Sequence, residues 1–458
     1  MKKFCHILFT AVFLIACLVP AAGMIFLGPS KAAGNEVLSP PPVITKPDGS
    51  YNLDLLSDAA DWFSDHFAFR QELVTADSVI KSALFHTSAQ PDVTLGKNGW
   101  LYYTETLDDY TGADLLTHRQ AWCAARSLAL AQRYVEERGG VFTFTIAPNK
   151  ISLYPQFAPH GLIPAGTDSA SLMRKQLEVQ QVHYTDLFEP IQDQEEVLYH
   201  SLDSHWNNKG AALGHDLLLA GLELEGNAYE KEGTYQLTHR GDLYEMLYPA
   251  SGRLDRQFEF DRPPEFEYTS PIRNADGLRI TTASGSQNEP LVMFRDSFGN
   301  ALHSLMAESF SLAVFSRAMP YNLTLMDQTA ARYVVVEIVE RNLDLLAGMP
   351  FLMPAPRVEF SEETIPVSAT AEVESSPASN LPEYVQLNGR LDSPCDTDSP
   401  VYVRSSDGIV YEAFPVADVP VADDEGSGTS FGLCLPEASA GGIQIIFRSG
   451  GSWLTAQV

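Results

Sequence analysis

The sequence predicts a three-layer α/β domain with a mainly parallel sheet, followed by an all-β sandwich. Three observations carry this. Apolar, β-prone runs alternate with stretches of helical spacing through residue 349. One of these runs, Leu291–Phe294, breaks at Arg295, Asp296 and Ser297 into a helix-like stretch with Leu302, Leu305 and Met306 on one face. Beyond residue 366 the runs become short and alternating, with Gly, Ser, Asp and Pro between them.

At the N-terminus, Lys2 and Lys3 precede an apolar run over residues 4–27, interrupted by His6, Thr10, Pro20 and Gly23. Residues 1–33 are expected to be a signal anchor or signal peptide. Three readings stay open. An uncleaved helix can anchor the chain with the lysines inside. Cleavage can occur near Ala32 and Ala33. Cys17, after Leu14-Ile15-Ala16, can mark a lipoprotein. All three export the chain to an extracytoplasmic site. The Pro-rich residues 34–57 read as a tether.

Residues 58–349 form the expected α/β domain. Residues 58–85 have the spacing of one helix, within which Asp65 and Arg70 can pair. Residues 93–103 carry turn glycines Gly96 and Gly99, and Trp100, Tyr102 and Tyr103 read as core. A helix over 119–138 ends at Gly139-Gly140. The strand Val141–Ala147 is stopped by Pro148, so Asn149 and Lys150 leave a strand end, where ligands collect in open α/β sheets. Asn149 can donate to an oxyanion and Lys150 can bind a carbonyl or an acidic sugar. Equally, they are a capping amide and a solvated cation. Helices follow over 169–181 and 208–222, with a short strand over 183–188.

Before the second of these helices, Asp203 and His205 lie two apart and Trp206 follows. A serine hydroxyl is a weak nucleophile that needs a neighbouring base. Histidine serves near neutral pH, and a carboxylate fixes its tautomer. Asp203 can therefore orient His205 while His205 faces Ser297. A serine on a strand-to-helix turn is lifted out of the sheet, and N–H groups of Ser297 or Phe298 can bind an oxyanion. Arg295 and Trp206 are further candidates for contact with substrate. His200, His215 and His239 lack a ligand pattern and read as structural. Residues 223–288 read as an irregular insertion flanking the cleft. Strands are expected over 312–315 and 332–338, a linker over 350–366, and the sandwich over 367–458.

Five cysteines are present. Cys123 reads as a buried apolar residue, and Cys395 with Cys434 as a disulfide candidate in an exported domain. No Cys/His cluster has zinc spacing, so no metal is expected. The formal charge of −29 argues against nucleic acid. It also predicts repulsion from anionic polymers unless the site is locally basic.

Asp203-x-His205-Trp206, followed by a strand ending in Asp296-Ser297-Phe298-Gly299, resembles the SGNH-hydrolase-like domain of the alginate O-acetyltransferase (AlgX/AlgJ) group and the related DHHW family. Further matching stretches are Asp65-His66-Phe67-Ala68-Phe69-Arg70, Gly96-Lys97-Asn98-Gly99-Trp100-Leu101, Pro148-Asn149-Lys150 with Leu153-Tyr154-Pro155, Gly241-Asp242-Leu243, and Glu337 through Leu343. They cover residues 60–345 in the family's order. Ser204 stands where the DHHW name implies a second histidine. The resemblance implies a circularly permuted SGNH-hydrolase-like fold and a Ser297–His205–Asp203 triad without cofactor. It implies transfer of an acyl group, most simply acetyl, to hydroxyls of a cell-surface polysaccharide. Because acetyl-CoA is absent outside the cytoplasm, a membrane-bound O-acyltransferase is the implied donor partner. A carbohydrate acetyl esterase of the same fold and a non-catalytic polysaccharide-binding scaffold are the alternatives. A glycosidase would need two flanking carboxylates, and no stretch singles out such a pair.

Overall fold

The computed structural model describes residues 2–32, 37–361, 366–379, 381–417 and 429–458. Ala33, named above as a cleavage position, lies outside the described residues, as does the side chain of Cys17. Helix α1 (Lys2–Leu27) is long and apolar enough to cross a membrane. The expected single helix over 58–85 is two, α2 (Leu55–His66) and α3 (Arg70–Ile80). The chain breaks at Phe69, whose φ of 66° is left-handed and incompatible with a continuous helix. Asp65 accepts from Ser39 N and Oγ at 2.8 and 2.6 Å, which ties the tether to α2.

The α/β domain is built on seven strands: β1 (Val141–Ala147), β2 (Tyr184–Thr185), β3 (Glu267–Tyr268), β4 (Arg279–Ala283), β5 (Leu291–Phe294), β6 (Leu312–Ser316) and β7 (Tyr333–Val339). Their spatial order is β2–β1–β7–β5–β6–β4–β3. The first five in that order are mutually parallel, and β4 and β3 add an antiparallel edge. All four residues of β5 are buried, as the unbroken apolar run Leu291–Phe294 requires of a central parallel strand. The insertion over 223–288 is more regular than expected. It forms a hairpin, Gly233–His239 against Asp255–Phe260, and then supplies both antiparallel edge strands.

Four helices frame the sheet: α4 (His118–Glu136), α5 (Ser169–Val179), α6 (Asn208–Gly221) and α7 (Gly299–Ser309). A capping box starts α4: Thr117 Oγ1 accepts from Gln120 N at 3.1 Å, and Gln120 Oε1 from Thr117 N at 2.8 Å. It packs on α5 and β1, whereas α6 packs on α7 and on β1 and β2. The core is continuous from Trp122 through Phe144, Met293 and Val335 to Met306.

The C-terminal part is a closed ring rather than two separate sheets. Its strands are β8 (Arg357–Val358), β9 (Val367–Pro377), β10 (Tyr384–Leu391), β11 (Val401–Arg404), β12 (Val410–Val416), β13 (Thr429–Pro436), β14 (Gln444–Ser449) and β15 (Ser452–Gln457). The order runs β12–β11–β14–β15–β9–β10–β13 and returns to β12, with β8 flanking β12. Closure arises because two strands divide their length. The first half of β9 pairs with β15 and the second with β10, and β12 likewise serves β11 and then β13. Val403, Leu433, Ile445 and Phe447 fill the interior.

The ring is fused to the α/β domain. Glu412, 1 % exposed, takes Arg126 of α4 in a two-pronged pair at 2.7 and 2.8 Å. Phe414 and Ala417 belong to the core of the larger domain. Within the stretch expected as a linker, Phe351, Met353 and Ala355 are buried.

The expected disulfide does not form: Cys395 and Cys434 are free thiols. Cys395 N donates to Thr429 Oγ1, at the start of β13, and Cys434 lies five residues further along that strand. Five residues of strand span about 16 Å, far beyond the reach of a disulfide.

Candidate active site

Ser297 stands on the turn between β5 and α7, at the C-terminal edge of the parallel strands. Three side chains hold that turn, two of them, Arg295 and Glu337, buried. Asp296 Oδ1 accepts from Phe298 N at 2.9 Å, and its Oδ2 from Val339 N at 2.8 Å and Asn342 Nδ2 at 3.2 Å. Glu337, fully buried on β7, accepts from Asp296 N at 3.2 Å. Arg295, 1 % exposed, donates to the carbonyls of Asp296 and Ala275 and to Asn300 Oδ1. Gly299 is demanded by this packing. A Cβ there would sit 2.6 Å from Arg295 Cδ and 3.0 Å from Glu337 Oε2.

His205 comes from the loop before α6. A bridge between Tyr199 and Trp206 closes that loop, and His200 N donates to His205 O at 3.2 Å. Asp203 Oδ1 accepts from His205 N at 2.8 Å and from His205 Nδ1 at 2.7 Å. A carboxylate can only accept, so Nδ1 carries the proton and Nε2 is left as the acceptor. His205 Nε2 lies 2.9 Å from Ser297 Oγ. The structure thus brings the three residues into one hydrogen-bonded chain across 92 positions of sequence.

Asp203 is shared. Its Oδ2 accepts from His239 Nε2 at 2.8 Å and from Asp242 N at 2.9 Å. Asp242 in turn takes Ser204 N at 2.8 Å and Ser204 Oγ at 2.6 Å, and its Oδ2 lies 3.5 Å from His205 Nδ1. His239 stacks on His200 at 3.8 Å. Asp255, on the hairpin, accepts from Leu202 N at 2.6 Å and fixes the middle of the loop.

Burial and charge set the protonation states. Burial alone would depress His205, but the charge and hydrogen bond of Asp203, then the charge of Asp242, hold it above its ordinary value. Burial would raise Asp203, yet His205 and His239 keep it well below the usual carboxylate range. Burial and the charge of Asp203 raise Asp242. His200 is pushed down to about 4 by burial and the neighbouring His239.

The other residues singled out in the sequence have different places. Lys150 is buried and donates to the carbonyls of His200, Ser201 and Asp203. It clamps the loop from behind, and burial lowers it to about 8. Asn149 is 1 % exposed, and its N–H donates to Glu340 Oε2 at 2.8 Å. Its carboxamide finds no hydrogen-bond partner among the described residues and does not line the cleft. The Phe298 N–H is occupied by Asp296, and the ring packs beneath His205 at 4.7 Å. Trp206 donates to Phe298 O at 3.1 Å, which locks the base loop to the serine turn. Arg295 lies under the turn, outside the cleft.

Sequence reasoning missed His239 and Asp242. His239 lies on a separate strand with no spacing signal, and Asp242 was visible only within the motif Gly241-Asp242-Leu243. The cleft itself is a cavity of about 400 Å³ lined by His200, Asp203, His205, Trp206, His239 and Ser297, with Asp242, Glu245 and Asp276 at its sides. Asp203, His205 and Asp242 bring three atoms able to bind a metal within 4.8 Å of one another. Those atoms are already hydrogen-bonded, which suits them to orienting an imidazole.

Residues 93–283 match the family described as "SGNH hydrolase-like domain, acetyltransferase AlgX". The match includes Asp203, His205, His239 and Asp242 and ends before Ser297. Among solved structures, Bacillus cereus PatB1 with a sulfonyl adduct has 15% identity and a TM-score of 0.45, covering 56% of this chain and 97% of that one. A DHHW family protein from Eubacterium siraeum has 14% identity and a TM-score of 0.41, covering 55% and 95%. Pseudomonas aeruginosa AlgX has 12% identity and a TM-score of 0.36, covering 84% and 98%. No curated protein matches the sequence. The resemblance first carried by the motifs is therefore borne out by the family match: the α/β domain of this chain is similar to the SGNH hydrolase-like domain of the AlgX acetyltransferases.

Proposed function

We propose that this chain is a serine-dependent O-acyltransferase that acetylates hydroxyls of an exported or cell-surface polysaccharide. The observation that carries the reading is the chain Asp203 Oδ1–His205 Nδ1 at 2.7 Å and His205 Nε2–Ser297 Oγ at 2.9 Å. Ser297 Oγ attacks the acyl carbonyl carbon while His205 Nε2 takes its proton. The tetrahedral oxyanion is met by the Ser297 N–H, on the turn that leads into α7. Its collapse breaks the bond to the donor oxygen, which leaves with the proton from His205. A sugar hydroxyl then attacks the acyl-serine and gives its proton to His205; the second intermediate breaks the Ser297 Oγ–acyl bond, His205 returns the proton to Oγ, and the sugar ester departs. Asp203 stays ionised throughout and steadies the imidazolium.

The two helix groups, α4 with α5 and α6 with α7, support a three-layer sandwich. The Asp203–His205 segment preceding the serine strand supports a permuted order. Domain limits of 58–349 and 367–458 fit the change of architecture. Helix α1, as a membrane anchor, would hold the enzyme outside the cytoplasm, beside a membrane-bound acyl donor.

The test is incubation with an acetyl-ester reporter, with and without acceptor oligosaccharides, followed by mass spectrometry. Acetyl on the sugar that requires Ser297 supports transfer. Rapid Ser297-dependent hydrolysis without any acetylated sugar assigns the chain as an esterase. Reporter turnover that survives Ser297→Ala refutes both.

A further inference from the structure

The charge of the cleft bears on the acceptor. Its lining carries four carboxylates, Asp203, Asp242, Glu245 and Asp276, against one guanidinium, Arg240. Arg240 Nη1 donates to Glu245 Oε1 at 2.9 Å, so the one guanidinium is offset by one of the four carboxylates. The two buried cations nearby are turned away. Lys150 is bound to the carbonyls of the base loop, and Arg295 to the carbonyls of Asp296 and Ala275 and to Asn300. Asp276 is fixed at the rim by Asn300 Nδ2 at 2.8 Å, from the first turn of α7. Asp203 and Asp242 serve the imidazole, and Glu245 and Asp276 complete the acidic lining, with Glu245 Oε1 paired to Arg240 and Asp276 Oδ1 to Asn300. The whole chain carries a formal charge of −29, so its long-range field has the same sign as the cleft.

A uronate or phosphate polymer places a negative charge on nearly every sugar, and the sugars flanking the acetylated hydroxyl would lie against Glu245 and Asp276. The single guanidinium of the lining does not offset them, since three further carboxylates stand beside the Arg240–Glu245 pair. We propose that the acceptor glycan carries no carboxylates or phosphates. It is instead built of neutral or amino-bearing sugars, whose hydroxyl or ammonium groups donate to Glu245 and Asp276. This rests on reading the cleft as an acyl-transfer site.

The experiment offers the full chain three oligosaccharides of equal length: an N-acetylated amino sugar, its de-N-acetylated form, and a uronate. Acetyl transfer from the reporter is read by mass spectrometry at low salt and at 0.3 M salt. Binding of the same three to Ser297→Ala protein is read by calorimetry, so the preference is measured without turnover. The expected result is at least a tenfold preference for the neutral or amino acceptor over the uronate, narrowing at high salt. In Glu245→Lys and Asp276→Lys the ratio should swing toward the uronate. A wild-type preference for the uronate, or a ratio that neither salt nor the lysine variants move, overturns the proposal. A binding preference as expected with no Ser297-dependent turnover would instead overturn the enzymatic reading and leave the acceptor class standing.

Discussion

Asp203 holds two histidines at once, His205 Nδ1 on Oδ1 at 2.7 Å and His239 Nε2 on Oδ2 at 2.8 Å. The second contact fixes the carboxylate plane against rotation, so Oδ1 stays aimed at the base. His239→Ala would leave Oδ2 with only the Asp242 N–H. Turnover of the ester reporter should fall about tenfold, a loss near 1.4 kcal/mol in transition-state stabilisation, with KM little changed. His239→Gln, which keeps a donor, should restore much of it. Equal losses in both variants would count against a positioning role.

The pH profile follows from the charges around His205. The base works only when neutral, and Asp203 and Asp242 hold its proton more tightly than in a free imidazole. The rise in kcat/KM with pH should therefore be centred above the ordinary histidine value of about 6.5. Asp242→Asn removes one of the two negative charges and should move that limb to lower pH. A limb that stays in place in this variant would show that another group controls it.

Gly299→Ala should injure the serine turn directly. The added methyl would overlap Arg295 and Glu337, both buried and both bonded to that turn. Overpacking of this kind costs about 1–3 kcal/mol. Urea unfolding should show that loss, and reporter turnover should fall with it as Ser297 shifts from His205. Unchanged stability and turnover together would refute the steric reading.

Part of the acid sensitivity should be traceable to His303, with His200, also pushed down to about 4, adding to it. The His303 ring is enclosed by Phe266, Tyr268 and Phe315, and burial and the nearby Arg295 push it down to about 4. The unfolded chain binds the proton below about pH 6.5, while the folded chain refuses it until about 4. Stability must then fall as pH drops across that window, by on the order of 3 kcal/mol. His303→Phe should flatten the decline in unfolding midpoint between pH 6.5 and 4. An equally steep decline would assign the acid limb elsewhere.

Much of the fold is legible in the sequence because local patterning and tertiary context agree. The buried strands β5 and β7 are continuous apolar runs, and Pro148 and Gly139-Gly140 end their elements as their backbone chemistry requires. Ser297, His205 and Asp203 are legible for another reason: each sits in a short motif whose residue types are needed for one chemistry. What stayed hidden depends on pairing at long range. His239 reaches Asp203 only because a hairpin folds back over the base loop. Ring closure depends on β9 and β12 dividing between neighbours, which no single strand reveals. Cys395 and Cys434 suggested a bridge by count and compartment alone, and the register of β13 separates them. Phe298 and Asn149 had the right chemistry for an oxyanion, but Asp296 already holds the Phe298 N–H and Asn149 does not line the cleft.

The fusion of the ring to the α/β domain has a consequence for how such a chain can change over generations. Phe414 and Ala417 are part of the larger core, and Ala417 N donates to Ala347 O at 3.0 Å across the boundary. Helix α4, which supports β1 and hence the clamp at Lys150, is therefore half-walled by the ring. The ring is no detachable cassette. Exchanging it for an unrelated module would leave an apolar wound on α4 and strand the charge of Arg126. Any replacement must first reproduce that wall, whatever it binds on its outer face.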